Sequence, residues 1–221
     1  MNYPYTISTK EVVCRCAVFS AVIFLALLFF SIAEPSESEM NIQTSILPWF
    51  LSLAIGVWVF SVVNTVAQRE KLLQLYNRKF LSIFISYPSK SGAYFAKDCR
   101  RMWLYTALID FCGLVIPMGV GLLFVHPSSE VFISVSIGMI FSAILATSIS
   151  VIAVSCGVRW ASDSGAILVS FCLSMLVANG FANGPSGASL STIICCSLVM
   201  FCIAIGVFRY TTAWLSTQEL V

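Results

Sequence analysis

The chain has 221 residues, of which 59% are hydrophobic and 10% are charged, and its net charge is +2. Soluble domains are roughly 45 to 50% apolar and about 25% charged, so this composition excludes an ordinary soluble domain. The mean hydropathy of +0.94 predicts an all-α integral membrane protein, and the small net charge gives no indication of a nucleic-acid partner.

Apolar runs predict six membrane-spanning helices in one domain that covers residues 1–221. The first run follows a polar tail, Met1 to Lys10. It is too long for the hydrophobic part of a signal peptide and has no small-residue cleavage site before Glu34, so we expect it to be retained. Each run has roughly the 17 to 25 residues that a helix needs to cross hydrocarbon. The predicted spans are residues 12–32, 46–66, 102–125, 131–158, 164–182 and 188–208.

Between the second and third spans lies a polar segment, residues 67–101, that holds eight of the twelve Lys and Arg residues. Its apolar residues recur at three- and four-residue steps, which predicts an amphipathic helix that lies in the membrane interface or docks on a soluble partner. Pro88 should end that helix, and Ser89 or Ser91 should cap a new helix that continues into the third span. The apolar face consists of Leu72, Tyr76, Phe80, Ile83, Phe84 and Tyr87.

Charge counting predicts the orientation of the chain. If both termini and the polar segment share one side, that side holds all twelve Lys and Arg residues and the other side holds none. Basic residues accumulate on the cytoplasmic side of membrane proteins, so we expect cytoplasmic termini. A solvated basic linker that only orients the protein would produce the same bias.

Asp110 and His126 are the two residues of the spans that invite a functional interpretation. Asp110 lies about nine residues into the third span, where a carboxylate must be paired or protonated, so it is an intramembrane polar candidate. A hydrogen-bonded structural aspartate explains it equally well. His126 is the only histidine and lies at the outer end of that span. It is an outer-face candidate for haem or metal ligation, although a lone histidine is more often an interfacial residue.

The turn Gly184-Pro185-Ser186-Gly187 has the form of the serine motif of rhomboid intramembrane proteases. Those enzymes pair the serine with a later histidine, whereas here the only histidine precedes Ser186. A Gly-, Pro- and Asn-rich turn between helices explains the same residues better, so we do not expect an enzyme. No disulfide framework, metal site or bound cofactor is expected, because most of the nine cysteines lie inside apolar runs.

Two further observations bear on partners. No P-loop pattern occurs in the chain, so ATP hydrolysis would require a separate subunit. Small residues line the fourth span and let helices approach closely, either within this bundle or between two copies of the chain in a homodimer. The small residues are Ser134, Ser136, Gly138, Ser142, Ala143, Ala146 and Ser150.

The whole pattern resembles the haem exporter B family, the permease subunit of the Ccm cytochrome c maturation transporter. The resemblance extends from about Phe24 to Trp214. It includes Ser31-Ile32-Ala33-Glu34-Pro35 after the first span, the segment from Pro88 that ends in Phe95-Ala96-Lys97, and the turn Gly157-Val158-Arg159.

This resemblance implies an ABC-2-type permease in a bacterial inner membrane. Its partners would be a cytoplasmic ABC ATPase subunit and a haem-handling membrane subunit, with haem as the cargo that becomes available on the outer face. An exporter of a lipid or polysaccharide precursor and a non-transporting scaffold remain alternatives. The residues expected to couple to the ATPase are Arg69, Arg78, Lys79, Pro88, Lys97 and Arg100.

Overall fold

A computed structural model describes residues 8–33, 47–73, 76, 91–182 and 190–217. Every element within these ranges is helical, as the composition predicts, and they contain no strand. A π-helical turn follows the second helix. The elements are α1 Thr9–Ala33, α2 Leu47–Ala67, the π-helical turn Arg69–Leu73, α3 Ser91–Val125, α4 Ser129–Trp160, α5 Asp163–Ala182 and α6 Leu190–Thr217.

Five of the described helices, α1, α2, α3, α4 and α6, are long and apolar enough to cross a membrane. The remaining helix, α5, corresponds to the predicted fifth span, but its apolar part Asp163–Asn179 is shorter. The predicted count of six spans therefore stays a prediction. The helix predicted to continue into the third span is confirmed over the described residues, because α3 extends from Ser91 to Val125 without interruption. Pro88 and Ser89 lie outside the described residues.

Contacts between α1, α2 and α3 show the relative directions of these three helices. Helices α1 and α3 are parallel, since their residue numbers rise together along the interface. Helix α2 is antiparallel to α3, since its numbers rise as those of α3 fall. The pairs between α1 and α3 are Cys16 with Ile109, Phe19 with Gly113 and Leu27 with Gly121. The pairs between α2 and α3 are Trp49 with Gly121, Gly56 with Leu114 and Asn64 with Asp110.

One end of the bundle therefore collects the start of α1, the end of α2, the π-helical turn and the start of α3. We name it the basic end. The ends of α4 and α6 lie there too, since Arg159 stacks 4.5 Å from the ring of Tyr210 and Gly92 packs against Thr212. Every Lys and Arg of the described residues lies in the part of its element nearest this end.

Helix α4 is the central helix and packs against α2, α3, α5 and α6. Its small residues Gly138, Ala143, Ala146 and Ser150 are buried, and Gly138 lets Leu53 and Phe50 of α2 approach closely. The small-residue face predicted for the fourth span thus serves helix packing within one chain. Ser134 and Ser136, at the start of the predicted face, are only partly buried.

Candidate functional site

The polar segment begins with side chains that are buried in the bundle. Leu72, Leu73 and Tyr76 are at most 1% exposed and pack in a cluster with Phe95 and Met102 of α3. The rings of Tyr76 and Phe95 meet edge to face at 5.2 Å. The part of the predicted apolar face that the structure describes therefore packs on the protein itself. The rest of the predicted amphipathic helix lies outside the described residues.

Tyr76 and Asp98 make a buried hydrogen bond, in which the phenol donates to Oδ2 of Asp98 over 2.9 Å. Burial raises the pKa of Tyr76, and the adjacent carboxylate of Asp98 raises it further. The phenol therefore keeps its proton and remains a donor at physiological pH. This bond fixes the segment after α2 to the first turns of α3.

Three of the six predicted coupling residues lie among the described residues. Lys97 and Arg100 are exposed on the first turns of α3 at the basic end. Arg69 opens the π-helical turn, whose hydrogen bonds run from Leu72 and Leu73 back to the carbonyl of Gln68. The other predicted coupling residues, Arg78, Lys79 and Pro88, lie outside the described residues.

Asp110 is fully buried on α3 between α2 and α4. Its Oδ1 accepts a 2.7 Å hydrogen bond from the amide of Asn64, and its Oδ2 accepts a 3.0 Å bond from the hydroxyl of Thr147. Both oxygens thus have a partner from a neighbouring helix. The carboxyl ties three helices together, which is the hydrogen-bonded arrangement that an intramembrane aspartate requires.

Further polar side chains lie near Asp110, and the sequence did not single them out. We name this group the polar cluster. Arg15 of α1 is 7% exposed, Gln68 is 1% exposed and Thr106 is fully buried, and Cys16, next to Arg15, contacts the carbonyl of Ile109, next to Asp110. The four-residue spacings of Asn64 with Gln68 and of Thr106 with Asp110 would have been the sequence signal. The polar cluster consists of Arg15, Asn64, Gln68, Thr106, Asp110 and Thr147.

An ion pair at the basic end lies next to the polar cluster. Lys71 of the π-helical turn pairs with Glu11 of α1, and Arg15 lies 3.6 Å from the other oxygen of Glu11. Charges therefore alternate in sign from Lys71 through Glu11 to Arg15.

His126 is distant from all of these groups. It is exposed in the connection between α3 and α4, and it adopts the left-handed conformation with a φ of 48°. Sixteen residues separate it from Asp110, which corresponds to about 24 Å along a helix. The described residues contain no group of three His, Cys, Asp or Glu side chains that could hold a metal. Ser186, the serine of the protease motif, lies outside the described residues.

An apolar cleft of about 290 Å³ lies between the ends of α1, α2 and α3 that are distant from the basic end. Its walls include Phe24, Leu28, Trp49, Pro117 and Phe124. Phe24, Leu28 and Phe124 are also exposed on the outer surface of the bundle. The cleft can accept an apolar group such as a lipid acyl chain.

Comparison with known proteins gives no relative: no protein-family model, curated protein or solved structure matches the chain.

Proposed function

We propose that the chain is the membrane subunit of an ABC-type exporter and that its basic end binds an ATP-hydrolysing partner. The observation that carries this proposal is the continuity of α3. This helix bears exposed Lys97 and Arg100 near its start and buried Asp110 further along. A displacement applied at the basic end would therefore move a helix that is bonded to the core of the bundle.

The attachment of the polar segment supports the same proposal. Leu72, Leu73 and Tyr76 pack into the bundle, and Tyr76 bonds to Asp98. A partner that pushes on the polar segment would act through these contacts on α3. A linker that only orients the chain requires none of them.

We further propose six spans in a bacterial inner membrane, with α5 as the fifth span and both termini in the cytoplasm. The division of twelve basic residues against none supports this orientation. Haem is the proposed cargo, with a haem-handling membrane subunit as second partner. The cargo and this partner rest on the resemblance to haem exporter B.

The apolar cleft favours a second candidate, the exporter of a lipid or another precursor with an apolar tail. Among the described residues its lining is apolar apart from Ser31 and contains Phe24, Trp49 and Phe124. A cargo with an acyl chain would place that chain in the cleft.

The test is purification of the tagged protein from its native membrane in mild detergent. The eluate is examined for ATPase activity, for haem absorbance and by mass spectrometry. Wild type is compared with Lys97→Glu/Arg100→Glu, which reverses two exposed charges of α3. Arg209→Glu is the matched control, because Arg209 is also exposed near the basic end but on α6.

Co-purification of an ATPase with wild type and with the control, and its loss from the double variant, supports the proposal. A haem-handling protein in the same eluate supports haem as the cargo. An ATPase without that protein favours the lipid exporter. If no ATPase is recovered with the wild type, the chain acts as a scaffold and the exporter proposal is wrong.

A further inference from the structure

We propose that the polar cluster encloses internal water, which extends the aqueous phase at the basic end inward to Asp110. The ligand of this site is water. The inference does not depend on the proposed exporter function, because it rests only on the polar atoms of α1, α2 and α3.

The first observation is that buried polar atoms of the cluster have no hydrogen-bond partner among the described residues; for Arg15 the nearest carboxylate oxygen, on Glu11, lies 3.6 Å from Nη2. They belong to side chains that are at least nine-tenths buried. In a folded protein such atoms are normally satisfied by protein groups or by ordered water. The unpartnered atoms are both Nη of Arg15, Oδ1 of Asn64, Nε2 and Oε1 of Gln68, and Oγ1 of Thr106.

The helix register places these residues at two neighbouring levels of the bundle, one helical turn apart. Asn64 and Asp110 are hydrogen-bonded across antiparallel helices. Gln68 is one turn beyond Asn64, and Thr106 is one turn before Asp110, so both lie one turn closer to the basic end.

Arg15 reaches the same level from α1. Cys16, the next residue, contacts the carbonyl of Ile109, which places the backbone of Arg15 near Asp110. Long side chains of a helix point toward its N-terminus, and the guanidinium of Arg15 does reach back to Glu11. The guanidinium therefore lies between the level of Asp110 and the basic end.

Exposure decreases steadily along this path. The side chains of Glu11 and Lys71 are 26% and 23% exposed, that of Arg15 is 7% exposed, and Asp110 is fully buried. The Glu11 and Lys71 pair thus forms a polar entrance, and the polar cluster continues inward from it. Water can follow such a path because each step offers donors or acceptors.

The charges decide which ligand fits. An anion attracted by Arg15 would be repelled by Glu11, and a cation attracted by Glu11 would be repelled by Arg15 and Lys71. The unpartnered atoms include donors on Arg15 and Gln68 and acceptors on Asn64 and Gln68. Water both donates and accepts, and buried water typically makes two to four such bonds.

The experiment is hydroxyl-radical footprinting of the full chain in lipid nanodiscs after rapid mixing with isotopically labelled water. Radicals formed from internal water modify the side chains beside it, and mass spectrometry identifies the modified residues and the oxygen they carry. Arg15 is the reporter. Met118 and Leu53 are the controls, because both are fully buried in the apolar core.

We expect Arg15 to be modified several-fold faster than the controls, with labelled oxygen from the bulk in its products. The methionine control is stringent, because its sulfur is easily oxidised whenever water reaches it. Modification of Arg15 no faster than that of Met118 would overturn the proposal. This comparison uses wild-type protein and does not depend on a variant that folds.

Two variants test whether Thr106 lines the proposed internal water. Thr106→Val removes an unpartnered hydroxyl from the polar cluster without a change of shape, and Ser170→Ala removes an unpartnered buried hydroxyl of α5. We expect slower modification of Arg15 in Thr106→Val and no change in Ser170→Ala. Equal modification of Arg15 in wild type and in Thr106→Val would show that the site is not as we propose.

Discussion

The phenol of Tyr76 and the carboxylate of Asp98 are joined by a buried 2.9 Å hydrogen bond, although they are 22 residues apart in the chain. The bond joins the part of the polar segment that follows α2 to the first turns of α3, at the basic end. Asp98 is only 2% exposed, and its other oxygen, Oδ1, has no hydrogen-bond partner among the described residues. The hydrogen bonding of the Asp98 carboxylate therefore depends strongly on the Tyr76 hydroxyl.

Tyr76→Phe should destabilise the protein, because it leaves the Asp98 carboxylate without its donor. A buried acceptor that loses its partner costs about 1 to 3 kcal/mol, and more when the acceptor is charged. Unfolding in mixed detergent micelles would measure the loss. Tyr105→Phe is the matched control, since Tyr105 is 46% exposed on the same helix as Asp98, and its free energy of unfolding should not change.

The same bond predicts a dependence on alkaline pH. The pKa of Tyr76 is raised above its usual value of about 10, so the folded state holds this proton more tightly than the unfolded state. The contribution of Tyr76 to stability is complete below about pH 10 and decreases as the pH rises further, by up to about 1.4 kcal/mol per pH unit. Tyr76→Phe should lack this part of the decline. Parallel pH profiles of the two proteins would contradict the prediction.

A double-mutant cycle tests the hydrogen bond between Asn64 and Asp110. Either single change, Asn64→Leu or Asp110→Leu, leaves a buried polar group that has lost its partner, and each should destabilise the bundle. The double variant should recover part of the loss. In membrane interiors such coupling energies average about 0.6 kcal/mol and reach about 1.7 kcal/mol. A coupling energy of zero would mean that the two groups do not interact in the membrane-embedded protein.

The helices could be predicted from the sequence because their cause is local. Apolar runs of sufficient length predicted the third span, and the structure has one helix from Ser91 to Val125 there. Small residues on α4 predicted close packing, and Gly138 is indeed in contact with Leu53. Periodicity alone could not show that Leu72 and Tyr76 are covered by the bundle itself and not by lipid or a partner.

The polar cluster could not be predicted in the same way, because its members come from different helices. Asp110 was singled out because it is a charged residue within an apolar run. Arg15 and Gln68 lie near the ends of their helices, where polar residues are ordinarily solvated. Their burial depends on how α1, α2 and α3 pack together, and the hydrophobic pattern of one sequence does not specify that packing. His126, in contrast, was singled out by its rarity and lies apart from the cluster.

Gly157 is the position where a single methyl group should be most harmful. A Cβ there would lie 2.6 Å from both Ala166 of α5 and Leu73 of the π-helical turn. Gly157→Ala should separate these elements and cost about 1 to 3 kcal/mol, as overpacking of a filled core does. Gly206→Ala is the control, since a Cβ at Gly206 meets nothing within 4 Å. Thermal unfolding should show a lower midpoint only for Gly157→Ala, and equal midpoints would contradict the packing at this contact.

Glu11→Leu should destabilise the protein more than Arg15→Leu does. Glu11→Leu leaves the guanidinium of Arg15, which is 7% exposed, without its nearest counter-charge, whereas Arg15→Leu leaves Glu11 paired with Lys71. Breaking a buried pair at one partner costs about 3 to 5 kcal/mol, and the partial exposure of Glu11 lowers the expected loss to about 1 to 2 kcal/mol. Arg15→Leu should cost less, because it removes the buried charge itself. Detergent-induced unfolding of both variants gives the comparison. A larger loss in Arg15→Leu than in Glu11→Leu would mean that Arg15 is stabilised chiefly by Asp110 and not by Glu11.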